Sequence, residues 1–120
     1  MAMLWCTLHV KNLDASIKFY ETFVGLSVNR RFESRPGIEI AFLGDGETQL
    51  ELIDAGDGDT FPVSDQISIG FSVDSVDDKI KQLKEAGIEI YKEPVQPNPH
   101  IRFFYIKDPN GISIQFAQQM

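Results

Sequence analysis

Apolar and β-branched residues over 4–10 form the first short run of the chain and predict a strand. Beyond Asn12, a residue type suited to capping a helix, Leu13, Ile17, Tyr20 and Val24 recur at helical spacing until Gly25. Residues 28–33 and 38–43 flank Pro36-Gly37 and predict a hairpin. Gly44-Asp45-Gly46 turns the chain into a further strand over 48–53. The stretch 54–65, with Gly56, Gly58, Pro62 and four aspartates, reads as an exposed linker. A strand over 67–73 follows, and Ser75 with Asp78 three residues on gives a helix start like a capping box. Val76, Ile80 and Leu83 form that helix's buried stripe up to Gly87. Residues 88–91 read as a strand and the proline-rich 94–99 as a loop. The last two strands, 101–106 and 112–116, are joined by the turn Asp108-Pro109-Asn110-Gly111.

The same order, β-α-β-β-β, has thus been written twice. Thr7-Leu8-His9-Val10-Lys11-Asn12-Leu13-Asp14 corresponds to Gly70-Phe71-Ser72-Val73-Asp74-Ser75-Val76-Asp77, and Gln49-Leu50-Glu51-Leu52 to Ser113-Ile114-Gln115-Phe116. Units this small bury little core alone, so the reading is one α+β domain over 1–120. Module one spans about 1–54, the linker 55–66 and module two 67–120. The expected site lies on the surface that the two copies share.

Composition narrows the function classes. Lys and Arg total 11 against 18 Asp and Glu, a formal charge of −7, which argues against nucleic acid and anionic membrane surfaces as partners. One cysteine, Cys6, excludes an intramolecular disulfide and a multi-cysteine zinc site. No signal-peptide pattern opens the sequence, and no apolar run approaches the roughly 20 residues that span a bilayer, so a cytoplasmic location is expected.

The phrases HVKNLDASIKFYETFVGL, LELID, IGFSVDSVDDKIKQL and IKDPNGISIQF together resemble the vicinal oxygen chelate superfamily of glyoxalase I, bleomycin-resistance proteins and extradiol dioxygenases. The resemblance covers nearly the whole chain. It implies paired β-α-β-β-β modules whose curled mixed sheets surround a cleft, and a homodimer. Metal-dependent members carry ligands at four strand positions, which fall here on Trp5, Glu51, Ser68 and Gln115. Trp5 and Ser68 are 63 positions apart and Glu51 and Gln115 are 64 apart, which supports that register. Only Glu51 is a strong ligand for a divalent ion, so the resemblance predicts a degenerate metal site. Glyoxalase-type isomerisation needs a metal and a carboxylate base, and extradiol cleavage needs iron with two His and one carboxylate. The sequence supplies neither set.

Strand alternation puts Trp5, Thr7 and His9 opposite the apolar Leu4, Cys6, Leu8 and Val10. Trp5 offers a flat wall for an aromatic or cationic ligand. His9 falls where glyoxalase I has an arginine that contacts substrate. Glu51 is the best single candidate, as a ligand-binding anion or a general base. A partner such as Arg102 or Gln115 would instead make it structural. Ser68 and Gln115 inherit ligand-binding positions from the repeat. Arg102 and Tyr105 lie on opposite faces of one strand, His100 stands at the end of the proline-rich loop as a candidate cap for the cleft, and Cys6 belongs to the helix-facing side.

Three functions are open on these grounds. The first is metal-independent binding of a small molecule in an apolar, aromatic cleft. The second is a lactoylglutathione-lyase-type lyase or isomerase with a degenerate or relocated site for nickel, zinc or manganese. The third is a non-catalytic dimeric interaction protein.

Overall fold

The computed structural model describes residues 1–120, except for the side chain of Asp59. The chain divides into two compact units, Met1–Pro62 and Val63–Met120. Each is a four-stranded mixed sheet with one α-helix on one face.

The first unit runs β1 (Trp5–His9), α1 (Leu13–Phe19), β2 (Val28–Arg35), β3 (Ile38–Leu43) and β4 (Gln49–Asp54). Its strand order is β1-β4-β3-β2, with β1 parallel to β4 and the other pairs antiparallel. Asn12 caps α1 by accepting from the Ala15 N–H at 2.9 Å, and the Leu13 N–H donates to Asp54 at 3.0 Å. After Phe19 the helix widens into a π-turn over Tyr20–Val24, closed by Gly25 at a φ of 81°. Leu13, Ser16, Ile17, Phe19 and Tyr20 are buried, and α1 packs on β3 and β4. Beneath it lie Leu8, Val10, Ala41, Leu43, Leu50 and Leu52, all buried. Cys6, in the same alternation, is half-buried and free.

The second unit repeats this with β5 (Ser68–Ser72), α2 (Val76–Glu85), β6 (Lys92–Asn98), β7 (Ile101–Lys107) and β8 (Ser113–Gln119) in the order β5-β8-β7-β6. Ser75 caps α2 by accepting from the Asp78 N–H at 3.1 Å, and the Gln118 side chain accepts from the Val76 N–H at 2.9 Å. Asp77 and Asp78 in the first turn and Lys84 in the last complement the helix dipole. Val76, Leu83, Phe104, Ile106, Ile114 and Phe116 form the core. In the last turn between strands, Asp108 accepts from the N–H groups of Asn110 and Ile112, both at 2.8 Å.

Two expectations are corrected here. Residues 88–91 are not a strand. Gly87 takes a φ of 77° and the Ile88 N–H turns back to Leu83 at 2.8 Å, which spends the start of that segment on ending the helix. The proline-rich stretch, read as a loop, is instead most of β6. It lies at the edge of its sheet and pairs with β7 only at Lys92, Val95 and Asn98. Pro94 and Pro97 fall between those positions, where a strand needs no N–H for its neighbour.

Candidate functional site

Because β1, β4, β3 and β2 are adjacent, the face opposite α1 can be read from their register. Thr7 pairs with Glu51, Glu51 with Phe42, and Phe42 with Arg30, so these four stand in one row across the sheet. Residues paired across strands share a face. Trp5 and His9 flank Thr7 on the same side of β1. The first unit therefore brings Trp5, Thr7, His9 and Glu51 together on one face, which the alternation predicted for the three residues of β1.

Within its own unit Glu51 has a partner on the neighbouring strand. Its Oε1 accepts the Thr7 hydroxyl at 2.6 Å, a short charge-assisted bond within one row. Arg102 pairs with Asp77 at 2.7 Å. One carboxylate oxygen is thereby fixed, and the remaining acceptor capacity of the group is open to a ligand. Trp5, 50% exposed, meets the edge of Phe42 with ring centroids 5.6 Å apart. Phe32 stacks on Phe42 at 6.4 Å, and the Arg30 guanidinium lies 4.9 Å from the Phe42 ring centre and 5.2 Å from that of Phe32. Phe42 is the buried floor of this group, with only 5% of its surface exposed. His9 packs against Phe61 at 4.9 Å.

Ser68 and Gln115 share the equivalent face of the second sheet, where Ser68 pairs with Ser113 and Gly70 with Gln115. The Gln115 amide donates to the Tyr105 hydroxyl at 3.2 Å. Gly70 leaves the room this needs, since a Cβ there would stand 3.0 Å from Gln115 Oε1. Lys92 lies over Tyr105 at 5.1 Å and over Tyr91 at 5.5 Å. Asp65 accepts from Lys107 at 2.7 Å and from the Tyr91 hydroxyl at 2.9 Å. Those two donors, Lys107 first, hold the Asp65 carboxyl below its ordinary value, and Asp65 in turn raises the Lys107 ammonium. His100 is exposed in the β6–β7 turn.

Arg30, Phe32 and Phe42 were missed by the sequence reading. The alternation of Arg30 with Phe32 along β2 was the available signal. Two irregularities in the β2–β3 register kept their partners from being read off the Pro36-Gly37 turn. Two cavities lie elsewhere. One of about 420 Å³ is lined by Gly25 to Asn29 with Gly44 and Asp45, another of about 310 Å³ by Gly87 to Tyr91 with Lys107. Neither is lined by any of the six candidate residues.

The Glyoxalase/Bleomycin resistance protein/Dioxygenase superfamily model matches residues 2–116, and the chain belongs to that superfamily. It is 33% identical over 116 residues to the uncharacterized protein YwbC of Bacillus subtilis, covering 92% of this chain and 91% of that one. Lactoylglutathione lyase of Neisseria meningitidis is 28% identical over 127 residues, covering 99% and 91%. Among solved structures, the trypanothione-dependent glyoxalase I of Leishmania major superposes with a TM-score of 0.82 at 25% identity, covering 98% of this chain and 86% of that one.

The divalent metal that this family implies does not fit the residues at hand. An indole cannot coordinate it, a serine hydroxyl and a glutamine amide are weak neutral donors, and Glu51 is left as the one strong ligand of the four positions. Among the described residues, no three of His, Cys, Asp and Glu gather in a metal-binding group.

Proposed function

We propose that this protein binds a small molecule on the open face of its first sheet, without a resident divalent metal. The observation that carries the reading is the Thr7–Glu51 bond beside the half-exposed Trp5. A fixed carboxylate next to a flat aromatic wall suits a ligand with an aromatic ring and a cationic or hydrogen-bond-donating group. Burying ligand area against Trp5 supplies affinity, and the carboxylate supplies orientation. A lactoylglutathione-lyase-type reaction is the second reading, favoured by the 28% identity to proteins of that name. The donor set weighs against it. Glu51 would be its proton-moving base, and no step is assigned to a metal.

Metal content of the purified, unsupplemented protein decides between the two, together with melting curves in nickel, zinc, manganese and EDTA. The expected outcome is no stoichiometric ion and no shift in Tm. A stoichiometric ion whose removal lowers Tm overturns the metal-free reading and puts the lyase first.

A further inference from the structure

Two consecutive arginines on β2 meet different surroundings. Arg31 is held by Glu39 and Asp14, each at 2.8 Å, and these hydrogen bonds, Glu39 first, raise its pKa. Arg30, on the opposite face, forms no ion pair and no side-chain hydrogen bond among the described residues. It rests instead over the rings of Phe42 and Phe32. Ring contacts orient the cation but use none of its five N–H donors. A guanidinium fork held in place with its donors free is built to take a planar carboxylate through two parallel bonds.

The row position completes the picture. Arg30 and Glu51 flank Phe42 on the two neighbouring strands, so their backbones lie about 10 Å apart, two strand spacings. The row is cationic on one side of Phe42 and anionic on the other, with aromatic surface from Trp5 and Phe32 beside the floor ring. A singly charged acid group suits Arg30 better than a doubly charged one, since Arg30 is the one cation of the row Thr7, Glu51, Phe42 and Arg30 and the chain carries a net −7.

We infer that Arg30 is an anion-binding residue of this face, and that the ligand is an amphoteric aromatic molecule with a carboxylate on Arg30 and a cationic group on Glu51. This rests on the proposed binding reading and specifies the ligand class for the same site. The aromatic part of the ligand spans the row against Trp5.

Trp5 is the sole tryptophan, so its fluorescence reports on this face directly. Three probes separate the charges: 4-(aminomethyl)benzoate, benzylamine and 4-methylbenzoate. The expected result is that 4-(aminomethyl)benzoate binds about tenfold tighter than either single-charge probe. Arg30→Gln should erase its advantage over benzylamine and leave benzylamine itself unchanged. Glu51→Gln should erase its advantage over 4-methylbenzoate. Arg30→Lys, which keeps the charge but loses the fork, should fall between wild type and Arg30→Gln, and it serves if the glutamine variant misfolds. An unaltered affinity of Arg30→Gln for 4-(aminomethyl)benzoate overturns the assignment, while benzylamine quenching in wild type would leave the binding reading standing. Quenching by none of the three overturns both. A change of oligomeric state in Arg30→Gln without any change in probe binding also overturns it, giving the face to a second copy of the chain.

Discussion

At the scale of single residues, the face opposite α1 is set by the alternation of side chains along each strand, and its contacts by the register between strands. Alternation along β1 is enough to put Trp5, Thr7 and His9 on one side, because a strand has only two faces. It says nothing about partners, which depend on the register between strands far apart in sequence. Glu51 thus accepts from Thr7, 44 residues away and directly across the β1–β4 pair, a partner that alternation alone does not name. Asp65 shows the same limit. It read as one of several linker aspartates, but it ties the start of the second unit to Lys107 and Tyr91. Its depressed pKa gives a pH signature. A carboxylate whose folded pKa is lowered contributes stability that is complete above its ordinary value of 3.8 and is lost as pH falls through the folded value. The raised Lys107 contributes below its ordinary 10.5 and is lost as pH rises through its folded value. Asp65→Asn should thus lower Tm slightly between about pH 4 and 10, with the gap from wild type closing in stronger acid. Melting curves from pH 2 to 8 check this. A gap that persists unchanged at pH 2 would mean that the ion pair is not its source.

Whole elements were more legible than contacts. Both helices begin at the residues whose side chains could cap them, Asn12 and Ser75, since capping needs only local geometry. The segment 88–99 was not legible, because an edge strand can pair at every third residue and so hide prolines that would exclude a central one. Close packing of an element's backbone was invisible as well. The short 3₁₀ turn Gly58–Thr60 passes against the end of β1, where a Cβ on Gly58 would stand 2.5 Å from the Val10 carbonyl oxygen and 2.9 Å from the Lys11 nitrogen. Backbone atoms cannot swing aside as side chains do. Gly58→Ala should therefore cost about 1–3 kcal/mol in a denaturant titration. Gly46→Ala, whose Cβ would meet nothing within 4 Å, should change stability far less. Equal losses at the two positions would show that the turn is not packed as described.

For the molecule as a whole, the internal repeat made the fold and family readable from sequence, while the site's chemistry stayed hidden in the departures from the family pattern. Three of the four inherited metal positions hold residues suited to other contacts: Trp5 to rings, Ser68 and Gln115 to neutral hydrogen bonding. A homodimer, which the family resemblance implies and the open strand edges of each sheet permit, is the assembly we propose. Sedimentation at micromolar concentration should then give twice the 13.5 kDa chain mass, and a concentration-independent monomer would refute it.

The prolines of β6 bear on that assembly in a further way. An unpaired strand border is a template on which a stray chain can polymerise. Every residue of β6 except Pro94 is exposed, so this border stands open to such growth. Pro94 and Pro97 interrupt the donors that an incoming strand would need, and Lys92 and Glu93 add charge beside them. Fibril-like extension is thereby blocked on this side of the second sheet, and orderly association is left to the other borders.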